Sequence, residues 1–223
     1  MATWNLEWAT QGTANWPTIK NQLASVDADV VVLTEMTVGT AEKWPYVIDA
    51  GTHPDICVGD KRKVAIASKL PLRLVDDVGN PDLPPSNFVA VDVQVSEAQS
   101  LRVIGIVVRW AERRRYIEHL PAALDANLGP KTIVAGDFNH QHPATSGPAL
   151  ELEDTLKSRG LSIHTAGTHL QLGDERGLID HIASTSDLRV VGPAIVWPRH
   201  DPNYRNGTKE VTDHAGSAVD FVI

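Results

Sequence analysis

A single cysteine, Cys57, stands in a chain of 223 residues. One thiol can form neither an intrachain disulfide nor a cysteine-rich zinc site, and it suits a reducing compartment or indifference to redox state. Long apolar runs are missing too. None approaches the roughly 20 residues needed to cross a bilayer, so no membrane partner is expected. The segment Met1-Ala2-Thr3-Trp4-Asn5-Leu6-Glu7-Trp8 carries neither a basic n-region nor an apolar h-region, which leads to the expectation of a cytoplasmic protein. Positive charge is also scarce, with 20 Lys and Arg against 28 Asp and Glu and a net charge of −8. Tight grip on many nucleic-acid phosphates normally needs a basic stripe, because counterion release drives that binding. Here the cationic clusters are Lys61-Arg62-Lys63 and Arg113-Arg114-Arg115. The acidity weighs against processive DNA binding but does not exclude a nuclease. A carboxylate-lined metal site is itself a large negative contribution that the metal offsets.

Repeats, low-complexity tracts and charge-block tails are absent, and nothing marks a dimer face, so a monomer is expected. Apolar residues make up 42% and charged residues 22%, a mix that permits a buried core without disulfide staples. The length suits one domain over residues 1–223.

What recurs is a short apolar, β-branched run followed by a turn signal. Such runs predict strands at Ala2–Trp8, Asp29–Leu33, Val64–Ala67, Leu72–Val78, Phe88–Val95, Leu101–Val108, Thr132–Ala135, Leu178–Ala183, Leu188–Val196 and Ala218–Val222. Helices are predicted at Trp16–Val26, Ala111–Asn127 and Pro148–Arg159, the second broken or kinked at Pro121. Residues 197–212, with Trp197-Pro198, Asp201-Pro202 and Asn206-Gly207, read as a long surface loop that either contacts substrate or is a plain excursion. Strands outnumber helices, and several follow one another directly. The expectation is an α/β fold of two packed sheets with helices on their outer faces.

Four segments carry chemistry. In Ile133-Val134-Ala135-Gly136-Asp137-Phe138-Asn139 an apolar strand ends in Gly-Asp-Phe-Asn. The glycine lets backbone approach a ligand, the carboxylate can take a proton from water, and the amide can hold a phosphate oxygen. The competing reading is a strand-end Asx-turn. Ile179-Asp180-His181-Ile182 and Thr212-Asp213-His214-Ala215 each set an acid beside a histidine. Such a pair favours the imidazolium, which can steady a phosphoryl oxygen or protonate a leaving group. Asp29-Val30-Val31-Val32-Leu33-Thr34-Glu35 drives a buried run into a carboxylate, the ligand type that a hard cation such as Mg²⁺ takes. Asn5, inside Thr3-Trp4-Asn5-Leu6, is a plausible ligand support. Each of these has a structural reading, an exposed Glu or a satisfied His, when taken singly.

Taken in order, the segments resemble the endonuclease/exonuclease/phosphatase superfamily. Trp4-Asn5 stands at a first strand end, and Glu35 ends a buried strand. Ala65-Ile66-Ala67-Ser68-Lys69-Leu70-Pro71 matches an apolar strand followed by Ser-Arg/Lys-x-Pro. Gly-Asp-Phe-Asn falls at 136–139, Ile-Asp-x-Ile at 179–182 and Asp-His at 213–214. The resemblance implies a four-layer α/β-sandwich of two mixed sheets flanked by helices, with its site at one end of the sheets. It also implies roles. Glu35 would be the principal metal ligand, with Asn5 beside it and Asp213 near the metal, which would be Mg²⁺ or Mn²⁺. Asp137 would orient and deprotonate the attacking water, and Asn139 would hold a phosphate oxygen. Asp180 and His214 would form the dyad that stabilises pentacovalent phosphorus. His181 falls on the unspecified position and is left out of the catalytic set.

One departure stands out. The family usually carries a histidine at the end of the strand before the long helix, whereas this chain reads Ile106-Val107-Val108-Arg109-Trp110. Arg109 occupies the expected position and is included among the catalytic residues, because an arginine can pair with phosphate. It cannot act as an acid near neutral pH. Trp110 could stack on a ring but reads better as core. The two basic clusters read as solvated surface: Lys61-Arg62-Lys63 as an exposed turn, and the arginine run as the first turn of a helix that spreads its side chains apart.

The leading expectation is a metal-dependent hydrolase of phosphodiesters or phosphomonoesters, acting on nucleic acid or a small phosphate ester. The alternative is a fold kept for binding, with catalysis weakened or lost, which Arg109 would favour. Against it stand the many carboxylates converging on one edge, costly without a cation. A zinc hydrolase built on histidines such as His140 and His142 is a third possibility. Oxygen-rich ligands favour magnesium or manganese, and His140-Gln141-His142 reads as a loop near the site.

Overall fold

The run Val30-Val31-Val32-Leu33 is apolar at every position, and such a strand has to be covered on both faces. The computed structural model of the protein, which describes residues 1–54, 56–171, 174–197 and 212–223, covers it. In β2 (Val30–Thr37), Val30 and Val32 enter one apolar cluster while Val31 and Leu33 enter another. The first cluster lies between two sheets, and the second lies under a helix.

In chain order the elements begin with β1 (Ala2–Asn5), α1 (Trp16–Ser25), β2, β3 (Tyr46–Asp49), β4 (Lys61–Ser68), β5 (Leu72–Asp76), β6 (Phe88–Ser96) and β7 (Gln99–Val107). After a short 3₁₀ turn at Trp110–Glu112 come α2 (Arg113–Asn127), β8 (Thr132–Asp137), α3 (Gly147–Lys157), β9 (Leu161–Ile163), β10 (Thr168–Gln171) and β11 (Asp174–Gly177). The chain closes with β12 (Asp180–Thr185), β13 (Arg189–Trp197) and β14 (Gly216–Val222). One six-stranded sheet has the order β13-β14-β1-β2-β4-β3 and the other β5-β6-β7-β8-β12-β9, with β10 and β11 forming a separate hairpin.

Both sheets are mixed. The β1–β2 and β7–β8 pairs are parallel, and the other pairs are antiparallel. Alternation along each strand then builds four layers. Val32, Val64 and Ile66 of the first sheet meet Val89, Val91, Val103 and Ile133 of the second. Ile19 and Leu23 of α1 cover the outer face of the first sheet. Tyr116, Leu120 and Leu124 of α2, with Leu152 and Leu156 of α3, cover the second. Burying each such side chain is worth about 1.5–3 kcal/mol. This is the expected α/β-sandwich.

Three local expectations need correction. Pro121 does not break α2, which runs as one helix from Arg113 to Asn127. Tyr116, Ile117, Leu120, Ala123 and Leu124 on either side of it are all buried, and that packing outweighs the roughly 3 kcal/mol penalty of an interior proline. Lys61-Arg62-Lys63 forms the first three residues of strand β4 and is no turn, because Lys61 and Arg62 pair with Thr37 and Met36 of β2. Trp110 is not core: it is 71% exposed. The loop expected at 197–212 falls, beyond its two end residues, outside the described residues. No described helix is long and apolar enough to cross a membrane.

Candidate active site

The two sheets deliver polar residues to one edge because the strands keep their parity to the last residue. Ile133 and Ala135 of β8 point between the sheets, and Asp137 continues that alternation at the strand end. On β12, Asp180 has the parity of Ile182, and the register sets it directly opposite Asp137. Asn5 ends β1, and its side-chain amide donates to Asp137 Oδ2 at 3.2 Å. Asn139, in the left-handed region at φ 53°, donates its backbone N–H to Asp137 Oδ1 and its amide to Oδ2, both at 2.9 Å. The Asx-turn and the carboxylate presentation are thus one arrangement. Gly136 is needed for a different reason from the ligand approach expected of it. It sits at φ +137°, and a Cβ there would lie 2.1 Å from the Ile106 carbonyl oxygen of β7.

His214 comes from the segment before β14. Thr212 fixes that segment: its hydroxyl donates to the Asn5 carbonyl at 3.0 Å and accepts the His214 N–H at 2.9 Å. The imidazole Nδ1 meets Asp180 Oδ2 at 2.5 Å, and Nε2 lies 3.5 Å from Asp213 Oδ1. Atoms of Asp137, Asp180 and His214 all lie within 4.8 Å of one another, and all three residues are buried.

Glu35 arrives by a break in alternation. It takes φ 47°, so Leu33 and Met36, three residues apart, both pack under α1, while the Glu35 carboxylate forms an ion pair with Lys63. It is close enough to Asp137 and Asp180 to push both of their pKa values upward.

The electrostatics follow from burying this much acid. Burial raises Asp137, to about 7, with Asp180 and Glu35 adding to the effect and His214 opposing it. Burial likewise raises Asp180, against the pull of His214. For His214 burial alone would lower the pKa, but Asp180, Asp137 and Asp213 outweigh it and hold the imidazolium up to about 10. All three shifts run the same way. The cluster is short of positive charge and holds its protons. Asp180 Oδ1 is buried with no hydrogen-bond partner, a costly arrangement that a cation or a substrate proton would relieve. The donor set is carboxylate and amide oxygen, which fits a hard divalent cation. Glu35 and Asp213 border this cluster with carboxylate oxygens. Asn5 turns its amide nitrogen to Asp137, and its Oδ1 accepts the Glu7 N–H at 2.9 Å, which leaves that oxygen one lone pair for a cation.

The remaining candidates sort clearly. Arg109 forms an ion pair with Glu112, and among the described residues no hydrogen bond or ion pair joins it to the cluster. Arg113, treated above as surface, donates to the Asn139 carbonyl oxygen and lies 3.8 Å over the Trp110 ring. Its neighbours do spread apart as helical spacing requires, Arg114 to Glu151 and Arg115 to the Asp82 carbonyl. Lys63 was also read as surface, because its place opposite Glu35, between the pairs Thr34–Val64 and Met36–Arg62, emerges only from strand register. His181 is buried against Thr165 and the His140 carbonyl, and burial holds its pKa down to about 4. His140 and His142 both contact Glu153, at 3.2 and 2.8 Å.

The sequence model of the Endonuclease/Exonuclease/phosphatase family matches residues 2–214. No curated protein matches the chain. Among solved structures, the endonuclease domain of TRAS1, a telomere-specific non-LTR retrotransposon, is 19% identical with a TM-score of 0.67, covering 99% of this chain and 96% of that one. The Bacteroides thetaiotaomicron mannosyl-6-phosphatase is 14% identical with a TM-score of 0.68, covering 100% and 98%. D. rerio TDP2 complexed with a single-strand DNA product is also 14% identical, with a TM-score of 0.67 over 100% and 98%. At these identities the structural likeness speaks for the fold.

Proposed function

The chain belongs to the endonuclease/exonuclease/phosphatase family, a family of phosphoesterases, and we propose that within it this protein is a divalent-metal-dependent hydrolase that cleaves a phosphoester by in-line attack of water. The observation that carries this reading is the buried triangle of Asp137, Asp180 and His214, whose atoms lie within 4.8 Å and whose shifts all signal a deficit of positive charge.

Each residue has a task that its environment suits. Asp137, raised to about 7, is matched to a base that takes a proton from water near neutral pH. Asn5 and Asn139 grip both of its oxygens and fix the direction from which that proton arrives. Asp180 accepts the Nδ1–H of His214 and keeps the ring cationic, so that Nε2–H is the group left to face a phosphoryl oxygen or a leaving group. Asn139 stands beside Asp137 as an amide donor for a second phosphate oxygen. Glu35, Asn5 and Asp213 would hold the cation, Mg²⁺ or Mn²⁺, which when bound would neutralise charge developing on the phosphoryl oxygens.

The substrate is a nucleic acid or a small phosphate ester, and the net charge of −8 favours a short or small one, because long polyanions need a basic surface. The test is hydrolysis of bis-(p-nitrophenyl) phosphate, p-nitrophenyl phosphate and a DNA oligonucleotide with Mg²⁺, Mn²⁺ or EDTA. Metal-dependent turnover that Asp137→Asn abolishes is expected. Turnover that persists in EDTA, or in Asp137→Asn, would sink the assignment. Binding of the oligonucleotide without turnover under any condition would favour the binding-module reading.

A further inference from the structure

Lys63 lies on β4 between two register pairs with β2, Thr34 with Val64 and Met36 with Arg62. That position brings it beside the irregular Glu35, and its ammonium forms an ion pair with Glu35 Oε1. The pair is not a surface one, since the two side chains are 12% and 21% exposed. The same ammonium lies 5.4 Å from the centroid of the Trp8 ring, while Lys61 sits 5.2 Å from that ring. Trp8 is itself locked in place. It and Glu7 both adopt positive φ, 58° and 49°, and the Trp8 N–H donates to the Glu35 carbonyl at 2.7 Å. A compact monovalent cation is therefore built onto the carboxylate that the proposed function gives to the metal. A lysine ammonium is a strongly hydrated point charge, and its half-enclosure here means that it leaves only if something better takes the carboxylate.

We propose that Lys63 is a resident counter-ion of Glu35 that competes with the divalent cation, so that the metal has to displace it to bind. This inference rests on Glu35 being a metal ligand. Its consequence is quantitative: when a site is free only a fraction of the time, the apparent dissociation constant is the intrinsic one divided by that fraction. An ammonium that holds Glu35 nine-tenths of the time weakens metal binding roughly tenfold. Lys61, which shares the Trp8 ring but makes no ion pair with Glu35 among the described residues, is the internal control. Removing it alters the local charge equally and the pairing not at all.

The experiment is calorimetric titration of Mn²⁺ alone into metal-stripped protein, which needs no substrate. Lys63→Gln is expected to bind Mn²⁺ roughly tenfold more tightly than wild type. Lys63→Arg, which keeps the charge, is expected to stay within about threefold of wild type, and Lys61→Gln within about twofold. Lys63→Met carries the same expectation as Lys63→Gln, should the latter fold poorly by circular dichroism. Equal or weaker binding in Lys63→Gln and Lys63→Met overturns the competition while leaving the metal site standing. Equal tightening in Lys61→Gln also overturns it, because general electrostatics would then suffice. Absence of Mn²⁺ binding in wild type and both Lys63 variants at millimolar concentration overturns the competition and the metal-dependent reading together.

Discussion

Replacing Gly136 by alanine tests how the fold aims Asp137. The residue sits at φ +137° in register with Ile106 of the neighbouring parallel strand, and an added Cβ would meet the Ile106 carbonyl oxygen at 2.1 Å and its carbonyl carbon at 3.1 Å. A comfortable carbon–oxygen approach is about 3.3 Å or more, so the strands must part by roughly 1 Å at this rung. The obstructing atom is backbone of the neighbouring strand in the middle of one sheet, so no flexible side chain can move aside. The φ alone costs a residue with a Cβ about 1–3 kcal/mol. Parting the strands puts adjacent bonds at risk, including the 2.8 Å bond from the Val108 N–H to the Asp137 carbonyl, at about 1 kcal/mol each. The expected loss is therefore about 3–5 kcal/mol, a large part of the 5–15 kcal/mol typical of a folded domain. Urea unfolding followed by circular dichroism would measure it, with Gly12→Ala as control, since a Cβ at Gly12 meets nothing within 4 Å. A loss below about 1 kcal/mol for Gly136→Ala, or a loss equal to the control, would refute the close approach of β7 and β8 as the reason for this glycine.

Two more outcomes follow from the site. Because His214 holds its proton to about 10 when folded while an unfolded histidine releases it near 6.5, the metal-free protein should lose stability as pH rises from 7 towards 10. Below 6.5 this contribution is fully present; thermal melts across that range should slope downward in wild type and be flatter in His214→Gln, and identical slopes would contradict the Asp180–His214 pairing. Arg113→Ala, which frees the Asn139 carbonyl, should reduce kcat/KM roughly tenfold or more, whereas Arg109→Ala, which breaks a half-exposed pair with Glu112, should change it by about twofold or less. Steady-state kinetics that show the reverse order would restore Arg109 to the site.

The strands that bear the site were legible because each is a short, mostly apolar run with a polar residue at one end, Asn5 and Asp137 closing β1 and β8 and Asp180 opening β12. Asp137 and Asp180 fall at the edge by the parity of Ile133, Ala135 and Ile182, and Asn5 by standing opposite in parity to the apolar Ala2 and Trp4, which a reader of the chain can count. Glu35 reads as a strand end in the sequence, yet β2 runs on through it to Thr37, and its left-handed φ breaks the alternation inside the strand. Other features depended on neighbours distant in sequence. β3 and β9 are edge strands whose pairing with β4 and β12 defines them; the half-exposed Tyr46–Asp49 carries little pattern of its own. Lys63 looked like one charge among three until register placed it beside Glu35. Arg109 and Arg113 could be told apart only by what each one touches, since they differ by a single helical turn. Trp110 beside a buried strand suggests core, yet it lies past the strand end, where the chain has already reached the surface.

The most direct test of the account is the position of Mn²⁺ located by anomalous diffraction in crystals soaked with the ion. A single strong peak bordered by Glu35, with Asn5 or Asp213 contributing oxygen, is the expected result. A peak at His140, His142 and Glu153, or the absence of any peak at the Glu35 edge at saturating Mn²⁺, would contradict it.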